Sequence, residues 1–304
     1  MACKSCKQFP VYATQNHEHL CKNHFSRYFE RKVFKTITKY KMIEKADKIA
    51  VALSGGKDSS VLLYLLNKFR EQYQGFELSA VLIDEGIPSY REITRKDAVK
   101  FCRQLGIPLK IISFRQETGK RLSQLVKNKH NPCATCGVLR RYFLNKGARE
   151  LHATKIATGH NADDEAQSIW MNSIKGNLEF SAKLGPVTGM IVHEKFVKRI
   201  KPLYFMLEKE VLIYSKVQNL PVTFVECPNT RLSFRNEIGR ILNELEAKYP
   251  GTKQSILNSF LEILPALKSH FREGKKHLGT CKLCGEPAVK EFCRACGLIK
   301  KVKQ

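Results

Sequence analysis

Lys48-Ile-Ala-Val-Ala-Leu-Ser54-Gly-Gly-Lys57-Asp-Ser59-Ser60 begins as an apolar, β-branched run, Ile49 to Leu53, of the kind that forms a buried parallel strand. It breaks at Ser54-Gly55-Gly56, and Val61, Leu62, Leu65, Leu66 and Phe69 then recur at helical spacing. Strand, glycine turn and helix together make a phosphate site. Glycine lets backbone N–H groups approach the oxygens, Ser54, Lys57, Ser59 and Ser60 can donate, and the helix N-terminus adds a positive dipole end. The spacing is not Gly-x4-Gly-Lys-Ser/Thr, the loop of kinases and GTPases, nor the Gly-x-Gly-x-x-Gly of hydride-transfer enzymes.

Working outward, the chain alternates. Residues 48–53, 78–84, 109–114, 155–159 and 222–226 have strand character, and 59–70, 90–105, 135–152, 161–173 and 208–218 have helical spacing. This alternation predicts an α/β fold, a doubly wound parallel sheet with helices on both faces. Ligands in such sheets sit beyond the carboxyl ends of the strands, where the strand order switches. Two further segments leave predicted strand ends: Asp84-Glu85-Gly86-Ile87 and Gly159-His160-Asn161-Ala162-Asp163-Asp164-Glu165. Gly159 would let a nucleotide approach, and Asn161 can cap the next helix. Asp163 and Asp164 could hold Mg²⁺ on a triphosphate or accept a proton; equally, they could only stabilise a helix N-terminus.

Eleven cysteines, an odd number, in a chain that begins without the apolar core of a secretory signal point to metal ligation and a cytoplasmic location. Cys3-x2-Cys6 and Cys21-x2-His24, with fourteen residues between the pairs, predict an N-terminal zinc module over residues 1–24, His17 and His19 competing for the fourth place. Cys281-x2-Cys284 and Cys293-x2-Cys296, eight residues apart, predict a four-cysteine zinc ribbon over 276–304. Cys102 falls on an apolar helical face with Ile93, Ala98 and Leu105, the place of an inert buried thiol. That leaves Cys133 and Cys136, opening a basic helix (Arg140, Arg141, Lys146, Arg149), and Cys227 in Glu226-Cys227-Pro228. Three converging thiols could bind zinc with His130, relay sulfur as a persulfide, or hold an iron–sulfur cubane with one open iron.

Lys and Arg number 53 against 28 Asp and Glu, and the net charge of +25 predicts a polyanionic partner, most simply a nucleic acid. No stretch reaches the ~18–20 apolar residues of a membrane span, so no membrane partner is expected. Residues 25–45 read as a connecting helix with an apolar stripe (Phe25, Phe29, Val33, Ile37, Tyr40) and a basic face (Arg27, Arg31, Lys35, Lys39). Residues 46–228 form the nucleotide domain and 229–275 a helical extension, with Arg231 and Arg235 ahead of an apolar stripe at Ile238, Ile241, Leu242 and Leu245. Residues 268–277 read as a basic linker, and Lys300 to Lys303 as a basic tail.

Ser54-Gly-Gly-Lys-Asp-Ser59 resembles the pyrophosphate loop (PP-loop) of the N-type ATP pyrophosphatases, which split ATP between the α- and β-phosphates to adenylate a carbonyl oxygen. Gly159-His-Asn-x-Asp-Asp164 is similar to the second signature of the tRNA thiolases in that superfamily. The three central cysteines resemble those of the TtcA/TtuA branch, where they carry a [4Fe–4S] cluster, and the two flanking zinc modules resemble the TtuA type. The resemblance covers the whole chain. It implies ATP held by Ala52, Leu53, Ser54, Gly55, Gly56, Lys57, Asp58, Ser59 and Ser60, with Ile83, Gly159 and Arg140 completing the pocket and the main chain of Leu82-Ile83 at the adenine. It implies Asp58, Asp163 and Asp164 with Mg²⁺, a [4Fe–4S] cluster on Cys133, Cys136 and Cys227, and two Zn²⁺ on Cys3, Cys6, Cys21, His24 and on Cys281, Cys284, Cys293, Cys296. The activity implied is 2-thiolation of a tRNA uridine, 5-methyluridine at position 54 for this type, with sulfur from a ubiquitin-like protein thiocarboxylate. Wobble-uridine thiolases and lysidine-forming ligases share the loop, and a non-catalytic zinc nucleic-acid-binding module would share only the charge and the zinc sites. One departure stands out. Some relatives have a lysine just after the second cluster cysteine, whereas this chain has Leu139-Arg140-Arg141, and a guanidinium can stabilise charge but not act as a base. A cysteine-rich apolar surface could also support a homodimer.

Overall fold

The computed structural model describes residues 2–126, 132–188, 193–225, 227–228, 234–273 and 278–300; His130, Glu226, Arg231, residues 274–277 and the basic tail beyond Lys300 lie outside the described residues. Six strands form the central sheet: β1 Lys48–Ala52, β2 Glu77–Asp84, β3 Leu109–Ser113, β4 Lys155–Ala157, β5 Val187–Thr188 and β6 Lys198–Ile200. Their order is β3-β2-β1-β4-β6-β5, parallel throughout except for the antiparallel edge pair β5/β6.

Strand alternation sorts side chains between two cores. Ile49, Val51, Leu78, Ala80 and Leu82 face one layer with helices α1 (Lys22–Lys39), α2 (Lys57–Gln72) and α3 (Tyr90–Gln104). Ala50, Val81, Ile83 and Ile112 face the other, against Leu139, Phe143 and Ala148 of α4 (Pro132–Glu150). The fold is the expected doubly wound sheet. The stripe on α1 is buried as its spacing predicts: Phe25, Phe29 and Val33 are fully enclosed, and the Phe29 ring stacks on Tyr214 at 4.3 Å. Each such side chain contributes about 1.5–3 kcal/mol. The N-terminal module is fastened to the same layer. Buried Glu210 on α6 (Glu208–Val217) accepts from Tyr12 Oη at 3.0 Å and Lys32 Nζ at 2.9 Å.

Beyond α5 (Ala162–Ile174), helices α7 (Phe234–Lys248) and α8 (Thr252–Glu273) pack against it through Ile238, Leu242, Leu257 and Phe260. The C-terminal module is an antiparallel ribbon, Gly279–Thr280 against Pro287–Ala288, followed by a short helix, Arg294–Lys300, that lies on α4. Among the described residues no helix is long and apolar enough to cross a membrane.

Two expectations are corrected. Residues 222–225 form no strand: they run irregularly, with Phe224 exposed and the Thr223 N–H bonded to Asp97 on α3. The strand beyond β4 is β6, whose Lys-Arg-Ile carries too few apolar residues for periodicity to find it. Residues 268–273 belong to α8 rather than to a linker. A charged helix surface and a charged linker have the same composition.

Candidate active site

The chain steps outward from β1 to β2 and β3, then crosses back to β4, so strand order reverses between β1 and β4. A cleft of about 360 Å³ lies there, beyond the carboxyl ends of the strands. Of the residues expected to hold ATP, Ala52, Leu53, Ser54, Asp58, Ser59, Ile83, Arg140, Gly159 and Asp164 line it. Gly55, Gly56, Lys57 and Ser60 shape the turn without lining the cleft. Val81 lines it alongside Ile83, while Leu82 alternates to the opposite core.

The loop is fixed before any ligand arrives. Ser59 Oγ accepts from the Ser54 N–H at 3.1 Å and donates to the Gly56 carbonyl at 3.0 Å. Lys57 reaches sideways to Glu208 at 2.6 Å and Asp58 at 3.2 Å. Gly55 has φ +80°, and a Cβ there would sit 2.2 Å from the Thr94 carbonyl oxygen, so only glycine fits. Gly159 has a different constraint from the one expected: its Cβ would lie 2.9 Å from the backbone of Asp58 and Ser59. The loop itself, rather than a nucleotide, requires the small residue. Gly159→Ala is therefore expected to displace the loop at a cost of about 1–3 kcal/mol, weakening ATP binding about tenfold or more. Calorimetric titration of ATP, with the melting temperature as control, checks this.

The acidic motif divides. Asn161 caps α5, its Oδ1 accepting from the Asp164 N–H at 3.1 Å, while its Nδ2 donates to Asp58 Oδ1 at 3.0 Å. Its main-chain N–H also donates to Asp164 Oδ2 at 3.3 Å, so Asn161 joins two carboxylates from different elements, both lining the cleft. Asp163 faces away: it is buried, ion-paired with Lys253 of α8, and accepts from the Glu208 N–H at 2.7 Å. Its geometry is that of a strut, and it does not line the cleft. Enclosure by the cleft walls, reinforced by the Asp58 charge and opposed by Arg235, pushes the Asp164 carboxyl up to about 6. Its charged form is therefore present above that pH and lost as pH falls through it. Mg²⁺-dependent ATP binding should weaken about tenfold per pH unit below about 6, one proton competing with one cation. Calorimetry across pH checks this, and Asp164→Asn should abolish that component.

The third wall is α4. Gly137, Arg140, Arg141 and Leu144 line the cleft at helical spacing, one, two and three turns beyond Cys133. Cys136 and Cys227 are half-buried against the same core cluster. Burial, with the Cys227 charge adding to it, raises the Cys133 thiol. Burial first, then Glu85, pushes Cys136 up to about 12. The three cysteines converge as expected, but Cys227 arrives on an irregular segment rather than from a strand end. They do not gather as tightly as the two terminal groups. Four thiolates about 2.3 Å from one ion sit about 3.8 Å apart. Cys21 Sγ lies 3.2 Å from His24 Nδ1, Cys6 Sγ 3.4 Å from Cys21 Sγ, and Cys284 Sγ 3.7 Å from Cys293 Sγ. In both groups all four ligand atoms lie within 4.8 Å of one another, and the fourth N-terminal ligand is His24 rather than His17 or His19.

Several cleft residues escape sequence reading. Glu85, fully buried, joins the walls: it accepts from Arg91 Nε at 2.6 Å and pairs with Arg140 Nε at 3.2 Å, while Arg91 donates to the Ser54 carbonyl at 2.7 Å. Its place in Asp84-Glu85-Gly86-Ile87 at the strand end was its only signal, and that assigned it no partner. Arg140 stays above its ordinary range although burial opposes this, because Glu85 and the thiols surround it. Thr158 and His160 line the cleft too, with His160 Nδ1 2.9 Å from Thr158 Oγ1. The cleft walls, with Lys201 and three arginines, lower His160 to about 3, so the imidazole is neutral.

A parallel sheet that reverses beside a Ser-Gly-Gly-x-Asp-Ser turn, with two carboxylates joined through Asn161 beside it, defines a PP-loop nucleotide-binding protein. The PP-loop domain family matches residues 25–245. The chain is 37% identical to a tRNA-5-methyluridine(54) 2-sulfurtransferase of Pyrococcus horikoshii over 99% of its own length and 96% of that protein's. It is 34% identical to the tRNA 2-thiolation protein NcsA of Haloferax volcanii, covering 100% and 99%. Among solved structures it resembles the U34-tRNA thiolase NcsA of Methanococcus maripaludis with its [4Fe-4S] cluster, at a TM-score of 0.83 and 37% identity, covering 99% and 96%. The chain belongs to this family of PP-loop tRNA sulfurtransferases and 2-thiolation proteins.

Proposed function

We propose that the protein replaces the 2-oxygen of a tRNA uridine by sulfur at the expense of ATP. The observation that carries this is one shared cavity: the phosphate loop forms one wall and the helix bearing Cys133 and Cys136 forms another. Ser54, Ser59 and the loop amides hold the phosphates, and Asp58 and Asp164 would hold Mg²⁺. Hard carboxylate oxygens paired with substrate phosphates are the donors that Mg²⁺ prefers. The uridine O2 attacks the α-phosphorus, its bond to pyrophosphate breaks, and the adenylated oxygen becomes a leaving group. A sulfide nucleophile then forms the C2–S bond as the C2–O bond breaks and AMP departs with that oxygen. Arg140 faces the negative charge that develops in both steps.

Cys133, Cys136 and Cys227 would hold a [4Fe–4S] cluster, whose open iron would supply a site for sulfur. Burial pushes the free Cys136 thiol up to about 12, so a cluster bound there would have to displace its proton. The terminal groups would hold two structural Zn²⁺, and the net charge of +25 supplies the attraction to tRNA. A protein thiocarboxylate supplies the sulfur in the cytoplasm.

Position 54 is the favoured target on whole-chain resemblance to the 5-methyluridine enzyme. Position 34 is the second reading, because the solved thiolase of equal identity acts there. Mass spectrometry of tRNA nucleosides and mapped fragments after gene deletion tests both. Loss of 2-thio-5-methyluridine supports position 54, loss of wobble 2-thiouridine supports position 34, and loss of neither overturns the proposal.

A further inference from the structure

A second groove, of about 390 Å³, runs from the ATP cleft between α4 and the C-terminal ribbon. Two residues belong to both cavities, Arg141 and Arg199, and Arg294 of the ribbon joins them from the outer side. Arg199 Nη2 donates to the Arg141 carbonyl at 3.3 Å. Among the described residues, none of these three guanidinium groups makes an ion pair, whereas Arg91, Arg140 and Arg149 nearby all do. Burial and the Arg141 charge hold Arg199 down to about 10. Adjacent unpaired cations in partly desolvated walls repel one another, and an anion between them would remove that cost. The groove also carries Lys183 and an aromatic and apolar side, Tyr142, Val197 and exposed Phe196, and its one carboxylate, Glu286, is engaged by Arg149. Phosphate chemistry beside an aromatic surface suits a single-stranded nucleotide.

We propose that Arg141, Arg199 and Arg294 clamp the backbone phosphate of the RNA nucleotide next to the reacting uridine, and that Phe196 and Tyr142 carry the base of that neighbour. The uridine enters the cleft on one side of the clamp and its neighbour occupies the groove on the other. The inference rests on the thiolation reading above. The same guanidinium groups could instead serve the outer phosphates of ATP, and the test separates the two sources.

The wild type, Arg294→Gln and Arg199→Gln are titrated with bulk tRNA from a strain lacking the gene, over a salt series, and Arg294→Gln is also titrated with ATP. Each variant should bind tRNA more weakly, with a slope of log K against log salt shallower by about 1, the loss of one phosphate contact. Phe196→Ala should weaken tRNA binding with an unchanged slope, since stacking releases no counterions. Arg294→Gln, which lines only the outer groove, should keep its ATP affinity within twofold. Arg199→Lys, keeping the charge, should recover most of the slope, which separates phosphate binding from a folding defect. Unchanged tRNA slopes in both glutamine variants overturn the clamp, as does weakened ATP binding with intact tRNA binding in Arg294→Gln. A wild type that binds no tRNA instead overturns the function on which the clamp rests.

Discussion

Cys227→Ala is expected to lose sulfur transfer while keeping the fold. Cys227 lies on an irregular segment at the edge of the second core cluster, so losing its sulfur removes little packing. It does remove one of three thiols that act on one another and on the cleft-facing Arg140. Losing even a group that only orients a metal ligand typically costs 10–100-fold, so losing a ligand should reduce tRNA thiolation by more than about a hundredfold. Nucleoside mass spectrometry of tRNA incubated with the anaerobically reconstituted variant measures it, with iron–sulfur absorbance as a second readout. Thiolation at the wild-type level would count against a cysteine-held sulfur site. ATP-to-AMP turnover undiminished without tRNA would count against the RNA as the adenylated group.

Glu85→Ala is expected to be the most destabilising substitution in the cleft. Glu85 is 1% exposed and Arg91 3%, and their contact at 2.6 Å is the link between β2, α3 and the phosphate loop. Removing one partner leaves a buried guanidinium uncompensated, a loss of about 3–5 kcal/mol. Against a total stability of about 5–15 kcal/mol, that is a large fraction. Urea unfolding should show it, and Glu85→Gln, which keeps hydrogen-bonding oxygen but not charge, should lose less. ATP affinity should fall in both, because Arg91 holds the Ser54 carbonyl. A variant as stable as the wild type would mean that Arg91 finds another anion.

The local signals were strong where chemistry depends on neighbours in sequence. Ile49 to Ser60 specified strand, turn and helix, and Asn161 capped the helix its position predicted. The spacing of Cys3, Cys6, Cys21 and His24, and of the four ribbon cysteines, was enough to define two tight ligand groups. A two-residue knuckle closes on itself whatever surrounds it. Signals failed where a residue's role depends on what the fold brings opposite. Asp163 and Asp164 look alike in the chain, yet α5 turns one toward Lys253 and the other toward Asp58, because adjacent helical residues point about 100° apart.

By itself, then, the sequence determined the parallel α/β fold, the phosphate turn, the two terminal groups of potential metal ligands and the strong positive charge, all carried by short-range pattern or by composition. Only the tertiary structure decided that β6 rather than residues 222–225 extends the sheet. Only it joined the walls through Glu85, made Gly159 a packing residue for the loop, and brought Arg141, Arg199 and Arg294 to one groove with no ion pair among the described residues. Those outcomes depend on contacts between residues tens to more than a hundred positions apart, which no local periodicity encodes. Lys48 to Ser60 names the phosphate; the helix that begins with Cys133 and Cys136 lines the same cleft through Gly137, Arg140, Arg141 and Leu144.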